Sequence, residues 1–297
     1  MKSVLLAAIL AGAICAIPLL VAQTPVLGPG NAPVVDGLVY QCPMDADVRS
    51  NQPGVCPRCG MTLRAGIPEP VEFPMDFFMS PRPVKPGAKV QLTFAVRDPQ
   101  NGKQVTHFQI VHEKLFHMFI VSQDLQYFLH DHPVLGDDGE FRFDESFPRS
   151  GMYRVLGDFY PDGATAQLIS KTVIVPGPPQ TPAGLGKDYS TKKMENMSAT
   201  ITTSPEEPIA GMETRIFLHL DNADGLEKYI GAWAHMLAVS DDMIDMIHSH
   251  PWTADGGPDM RFDVYFGRAH SYRVWFQFQK KGVVNTAYFD IPVKDLD

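Results

Sequence analysis

The sequence predicts an all-β protein in which a small Cys-rich metal-binding module is followed by two tandem immunoglobulin-like β-sandwiches. Three observations carry that expectation. Twenty-six Pro and 24 Gly in 297 residues suit short strands joined by tight turns, because Pro removes a backbone donor and Gly favours turn conformations. Apolar and polar residues alternate near 89–96, 153–159, 214–220 and 272–278, which is the period of a strand. The third observation is an internal repeat of about a hundred residues, the size of a seven-stranded sandwich. The length allows two domains and a further small module, and 44% hydrophobic with 20% charged residues is ordinary for folded protein.

Residues 1–22 read as a signal peptide. Met1-Lys2 supplies the positive start, an uncharged apolar run covers 4–22, and Ala22 before Gln23 offers a cleavage point. Bulky Ile14 before Cys15 disfavours a lipid anchor there. The run is also near the shortest length that spans a bilayer, so an uncleaved N-terminal membrane anchor is the alternative. Export to the periplasm or beyond is the expected address. Loss of Lys2 moves the net charge from −9 to −10, which argues against nucleic acid as a partner. Residues 23–38, Pro- and Gly-rich with one charge at Asp36, are expected to form a linker.

Residues 39–64 hold the three cysteines that follow the leader. They read Tyr40-Gln41-Cys42-Pro43-Met44 and then Pro53-Gly54-Val55-Cys56-Pro57-Arg58-Cys59-Gly60-Met61-Thr62-Leu63. In a Cys-x-x-Cys-Gly knuckle the turn aims two thiolates at one point, and the glycine permits the positive φ that brings amides toward sulfur. This stretch resembles the small heavy-metal-binding domain attached to copper-exporting ATPases and to periplasmic adaptors of metal efflux pumps. That family's pattern is Tyr-x-Cys-Pro-Met, a spacer, then Pro-Gly-x-Cys-Pro-x-Cys-Gly-Met-x-Leu, and Cys42, Met44, Cys56, Cys59 and Met61 fall on it. The family often has His-Pro after Cys-Pro-Met, where this chain has Asp45-Ala46. Three thiolates leave a tetrahedral site one ligand short; sulfur from Met44 or Met61 would complete it for Cu(I), whereas Asp45 or water suits Zn(II). The alternative is a mini-domain stapled by one disulfide, with both methionines as packing, although an odd cysteine count argues against it.

The repeat occupies 65–176 and 190–297, with the Pro-rich stretch 177–189 expected to form a linker between them. His117-Met118-Phe119-Ile120-Val121-Ser122 leads to His130-Asp131-His132-Pro133, and His235-Met236-Leu237-Ala238-Val239-Ser240 leads to His248-Ser249-His250-Pro251. In both copies the histidine pair follows the first histidine by 13 and 15 residues. Arg142-Phe143-Asp144 and Tyr153-Arg154-Val155 recur as Arg261-Phe262-Asp263 and Tyr272-Arg273-Val274. Residues two apart on a strand face the same way, so His130 with His132, and His248 with His250, can meet one ion. A third imidazole from His117 or His235 on a neighbouring strand makes a three-nitrogen site for Cu(II), Zn(II) or Cu(I). Affinity at such a site is expected to fall as pH drops through the ordinary His range near roughly 6.5. Met118 and Met236 point to the opposite side and are expected in the core. The competing reading makes the histidines structural, duplicated along with the domain that contains them. His107, His112 and His219 have no counterpart in the other copy.

Together these features predict an exported, periplasmic heavy-metal-binding protein that sequesters or transfers copper, as Cu(I) or Cu(II), or zinc. The thiol module and the two histidine sets are expected to be separate sites. A metal efflux pump or metal-transporting ATPase is the expected partner. Two alternatives stay open. One is a metal-dependent (copper) oxidoreductase, because three nitrogens with an open fourth position can be catalytic. The other is a structural or adhesive β-sandwich protein without metal. No nucleophile motif of the Gly-x-Ser-x-Gly kind is present.

Overall fold

A computed structural model describes residues 39–45, 48–66, 71–252 and 256–296. The expected signal peptide and first linker lie outside the described residues. Every regular element among the described residues is a strand, so the all-β expectation holds. Among the described residues no helix is long and apolar enough to cross a membrane.

The module is a three-stranded antiparallel sheet in which β1 (Tyr40–Gln41) lies between β2 (Arg49–Ser50) and β3 (Arg64–Ala65). Its core is Tyr40, Cys42, Val48, Cys56 and Leu63, so the cysteines themselves fill much of its interior.

Repeat 1 runs through β4 (Met75–Ser80), β5 (Val90–Val96), β6 (Phe116–Ser122), β7 (Phe128–Asp131), β8 (Val134–Leu135), β9 (Phe141–Glu145), β10 (Gly151–Phe159) and β11 (Gln167–Val175). These form two antiparallel sheets with strand orders β4-β5-β9-β8 and β11-β10-β6-β7. Repeat 2 follows with β12 (Lys192–Lys193), β13 (Ser198–Ser204), β14 (Glu213–Asp221), β15 (Leu226–Glu227), β16 (His235–Ser240), β17 (Met246–Ser249), β18 (Asp259–Tyr265), β19 (Ser271–Lys280) and β20 (Val283–Pro292). Its sheets are β12-β13-β14-β18 and β15-β19-β16-β17, with β20 also paired to β19.

Registers match between the copies. Leu92 pairs with Phe143 and Ile216 with Phe262, while Tyr153 pairs with Ser122 and Tyr272 with Ser240. Both tyrosines return their hydroxyl to a carbonyl four residues upstream, Tyr153 to Arg149 at 2.9 Å and Tyr272 to Arg268 at 3.1 Å. That is the tyrosine corner of immunoglobulin-like sandwiches. Met118 and Met236 sit in the two sandwich cores.

All seven residues of β6 and all six of β16 are buried. One face of each strand points into its own sandwich and the other into the opposite repeat. Phe119, Val121, Leu125 and Leu156 of repeat 1 meet Leu237, Val239, Met243 and Trp275 of repeat 2 in one apolar cluster, and Phe128 stacks on Trp275 at 5.0 Å. Burial on both faces is why these strands read as continuous apolar runs without alternation. At one end of the seam Arg273, buried against Asp290, donates to the Leu125 carbonyl at 3.0 Å. The histidines occupy the other end.

The Pro-rich stretch between the repeats is tied down. Gln180 donates to the Ser150 carbonyl at 3.1 Å, Ser150 Oγ donates to the Pro178 carbonyl at 2.7 Å, and Ala183 and Leu185 pack on the apolar seam.

Candidate metal centres

In the module Cys42, Cys56 and Cys59 are free thiols, which removes the disulfide-stapled alternative for this structure. Their sulfurs and an Asp45 oxygen all lie within 4.8 Å of one another. Cys42 Sγ is 3.5 Å from Cys59 Sγ, and Asp45 Oδ2 is 3.2 Å from Cys56 Sγ. The residue at which the chain departs from the Cys-Pro-Met-His-Pro pattern is therefore the fourth member of the cluster. Gly60 holds φ +74° and donates its amide to the Cys56 carbonyl at 2.9 Å, which closes the knuckle as expected. Met44 packs against the cluster. The Met61 carbonyl accepts the Cys56 amide at 2.8 Å.

The thiols cannot ionise together in the absence of a cation. Hydrogen bonds from Cys56 and then Cys59 pull the Cys42 thiol down to about 4, and the Asp45 amide adds to the effect. With a thiolate at Cys42, the other two are pushed up, each first by its contact with Cys42. Burial, then the adjacent Cys56, raises the Asp45 carboxyl to about 7 against the opposing pull of Arg58. Four groups that compete for charge in a buried space fit a multivalent soft cation, which lets all of them ionise at once.

In repeat 1 the structure brings His117, His130 and His132 together. His117 Nδ1 lies 3.2 Å from His130 Nε2 and 3.2 Å from His132 Nε2. The outer nitrogens explain what the inner ones must be. His117 Nε2 faces the Val111 carbonyl at 3.0 Å, and His130 Nδ1 faces the Gln277 Oε1 at 2.8 Å. Both partners accept, so both outer nitrogens carry hydrogen and both inner nitrogens present lone pairs. Two lone pairs at 3.2 Å repel each other unless a cation lies between them.

Repeat 2 builds the same arrangement from His235, His248 and His250. His235 Nε2 donates to the Tyr229 carbonyl at 2.8 Å, and its Nδ1 lies 3.0 Å from His250 Nε2. His248 Nδ1 donates to Asp158 Oδ2 at 2.5 Å, leaving His248 Nε2 buried with no hydrogen-bond partner. Within each triad the inner nitrogens lie within 4.8 Å of one another.

The supports cross between repeats. Asp158 stands opposite His117 in register, and Gln277 opposite His235. Each projects from the outer face of its own sheet and orients the other repeat's histidine. The triads are thus neighbours, with the His130 and His235 rings 5.2 Å apart and the His117 and His235 rings 5.9 Å apart. The triads form separate ligand groups that lie side by side at one seam, because the strands that carry them are the ones that pack face to face. Replacing Asp158 by Ala is expected to weaken metal binding at the repeat 2 triad by roughly 10- to 100-fold, as loss of an orienting carboxylate does. Isothermal titration checks this, and unchanged affinity would remove the cross-repeat support.

His112 was not distinguished by its sequence. It sits in a two-residue turn at φ +46°, 8% exposed, with its Nε2 buried and unpartnered and its ring 3.9 Å from that of His250. The matching turn of repeat 2 carries Ile230 at φ +50°, so repeat 2's triad has an extra imidazole beside it. Trp252 lies under Arg58 at 4.2 Å and seats the module on repeat 2. Asp241, Asp242 and His270 also gather, but Arg268 pairs with Asp242 at 2.8 Å and His270 with Asp241 at 2.7 Å, which accounts for that cluster as an ion-pair network.

Burial is the first cause that depresses the histidines. It lowers His117 to about 4 and His132 to about 3, and holds His130, His235 and His250 well below the usual range. These imidazoles stay neutral in mild acid. The expected fall of affinity near pH 6.5 is accordingly moved to lower pH at the repeat 1 triad.

A thiol module and two paired histidine triads on tandem sandwiches define a heavy-metal-binding β-sandwich protein. The chain belongs to the family described as Domain of unknown function (DUF8832), whose model matches it twice, at residues 75–175 and 192–295. A heavy metal binding domain model matches residues 39–65. A copper-transporting P-type ATPase of Rhizobium leguminosarum bv. viciae is 47% identical over 47 residues, 16% of this chain and 6% of the ATPase. The chain therefore spans a small fraction of that relative. Among solved structures, the Escherichia coli adhesin FdeC is 12% identical with a TM-score of 0.25, covering 79% of this chain and 69% of the adhesin. A two-domain fibronectin type III segment of chicken tenascin is 11% identical with a TM-score of 0.23, covering 74% of this chain and 99% of the segment.

Proposed function

We propose that this is an exported protein of the bacterial cell envelope that sequesters copper and passes it on, directed there by a signal peptide at 1–22. The observation that carries this reading is the state of the donor atoms: free thiols in mutual contact and imidazole lone pairs facing one another, both of which a cation would stabilise. Cys42, Cys56 and Cys59 with Asp45 form one site, His117, His130 and His132 a second, and His235, His248 and His250 a third. The short likeness to a copper-transporting P-type ATPase supports copper as the metal and an ATPase or efflux pump as its partner. Zinc in the module is the second reading, favoured by the Asp45 carboxylate, since a hard oxygen donor suits Zn(II) better than Cu(I).

Elemental analysis of protein purified from the envelope fraction tests the metal and the address together. In reduced protein, replacing both Cys56 and Cys59 by Ser is expected to lower bound metal by one equivalent. An unchanged count would remove the module from this account.

A further inference from the structure

We propose that metal moves within the molecule between the thiol cluster and the histidine triad of repeat 2, through the cavity that separates them; this rests on the metal-binding reading above. The cavity, of about 650 Å³, is walled on the module side by Met44 and Asp45 and on the other by His248 and Ser249, with Arg58 and Asp263 beside them. Each end is a member of a ligand cluster. Asp45 Oδ2 is 3.2 Å from Cys56 Sγ, and His248 contributes the buried, unpartnered Nε2 that its bond to Asp158 leaves bare. On the module wall Met44 offers a thioether, a weak soft donor that can hold an ion in passage without trapping it.

The two ends are held in place. Arg58 pairs with Asp45 at 3.2 Å, approaches Asp263 at 4.0 Å and lies over Trp252 at 4.2 Å, so one guanidinium joins the module's carboxylate to the surface of repeat 2. The cavity is lined by module and repeat 2 residues alone, so the route leads to His248 and bypasses the triad of repeat 1. The step is ligand exchange without redox change. Metal–sulfur bonds break as metal–nitrogen bonds to the triad form, and the released thiolates recover protons from solvent.

Two-dimensional exchange NMR of cadmium-113 bound to the reduced full chain tests the route, with cadmium added until a thiolate-type and an imidazole-type resonance are both present. The expected result is exchange between the two at a rate independent of protein concentration and insensitive to an external chelator. Met44→Leu, which keeps the bulk and removes the sulfur, is expected to slow that exchange about tenfold while both resonances remain. Exchange that scales with protein concentration, or that the chelator abolishes, means the ion travels through solution; the route is then wrong and the metal-binding reading stands. Absence of the thiolate-type or of the imidazole-type resonance at saturating cadmium removes that site from the metal-binding reading, and the route with it.

Discussion

Acidification is expected to unfold the metal-free protein between about pH 6 and pH 4, and bound metal to move that transition to lower pH. In the unfolded chain each histidine protonates near roughly 6.5. In the fold, burial lowers His112 to about 3, His117 to about 4 and His132 to about 3. Between those values the unfolded state binds more protons, so stability is present above the unfolded value and is lost as pH falls. Each such histidine removes about 1.4 kcal/mol per pH unit across its window. Against a total stability of about 5–15 kcal/mol for a typical protein, several of them together suffice to unfold the chain.

Asp45, raised to about 7, works the other way over the same range but is one group against several. A bound ion needs neutral imidazoles and stabilises the folded state by as much as it binds that state more tightly than the unfolded chain. Circular dichroism during acid titration, with and without metal, measures both transitions. A metal-free protein that keeps its full stability from pH 6.5 to 4.5 would contradict the buried-neutral description of these histidines.

Spacing in the sequence was enough to find both triads and the thiols, because a duplicated interval and a Cys-x-x-Cys-Gly knuckle are local signals. What escaped was everything that depends on how the repeats meet. The run 117–121 has no polar alternation, and that lack is itself the mark of a strand covered on both faces; what it does not name is the partner face. Asp158 and Gln277 occupy equivalent places but differ in residue type, so matching the repeats passed over them. His112 was set aside for lacking a counterpart, yet the structure places its ring 3.9 Å from that of His250 and 6.4 Å from that of His117. Asp45 is already one of the fourth ligands that the sequence offers, and its entry into the cluster depends on the fold of the loop after Cys42.

Replacing His130 and His132 together by Ala is expected to remove one metal equivalent and to flatten the loss of stability in acid. His130 stacks on Phe119 at 4.2 Å and donates to Gln277 Oε1. Its removal therefore leaves a cavity and an unsatisfied buried acceptor, at a cost of about 1–3 kcal/mol near neutral pH for the acceptor alone. The same change deletes two imidazoles that burial keeps neutral, so stability falls less steeply as pH drops from 6 to 4. The curves of the variant and the parent should therefore cross, with the variant less stable at pH 7.5 and more resistant near pH 4.5. Structural histidines would leave metal uptake unchanged, and only the metal count tells the two apart, since the crossing follows from burial whether or not the imidazoles ligate metal. Competition titration measures the metal count, and urea unfolding of the metal-free protein at several pH values checks the crossing.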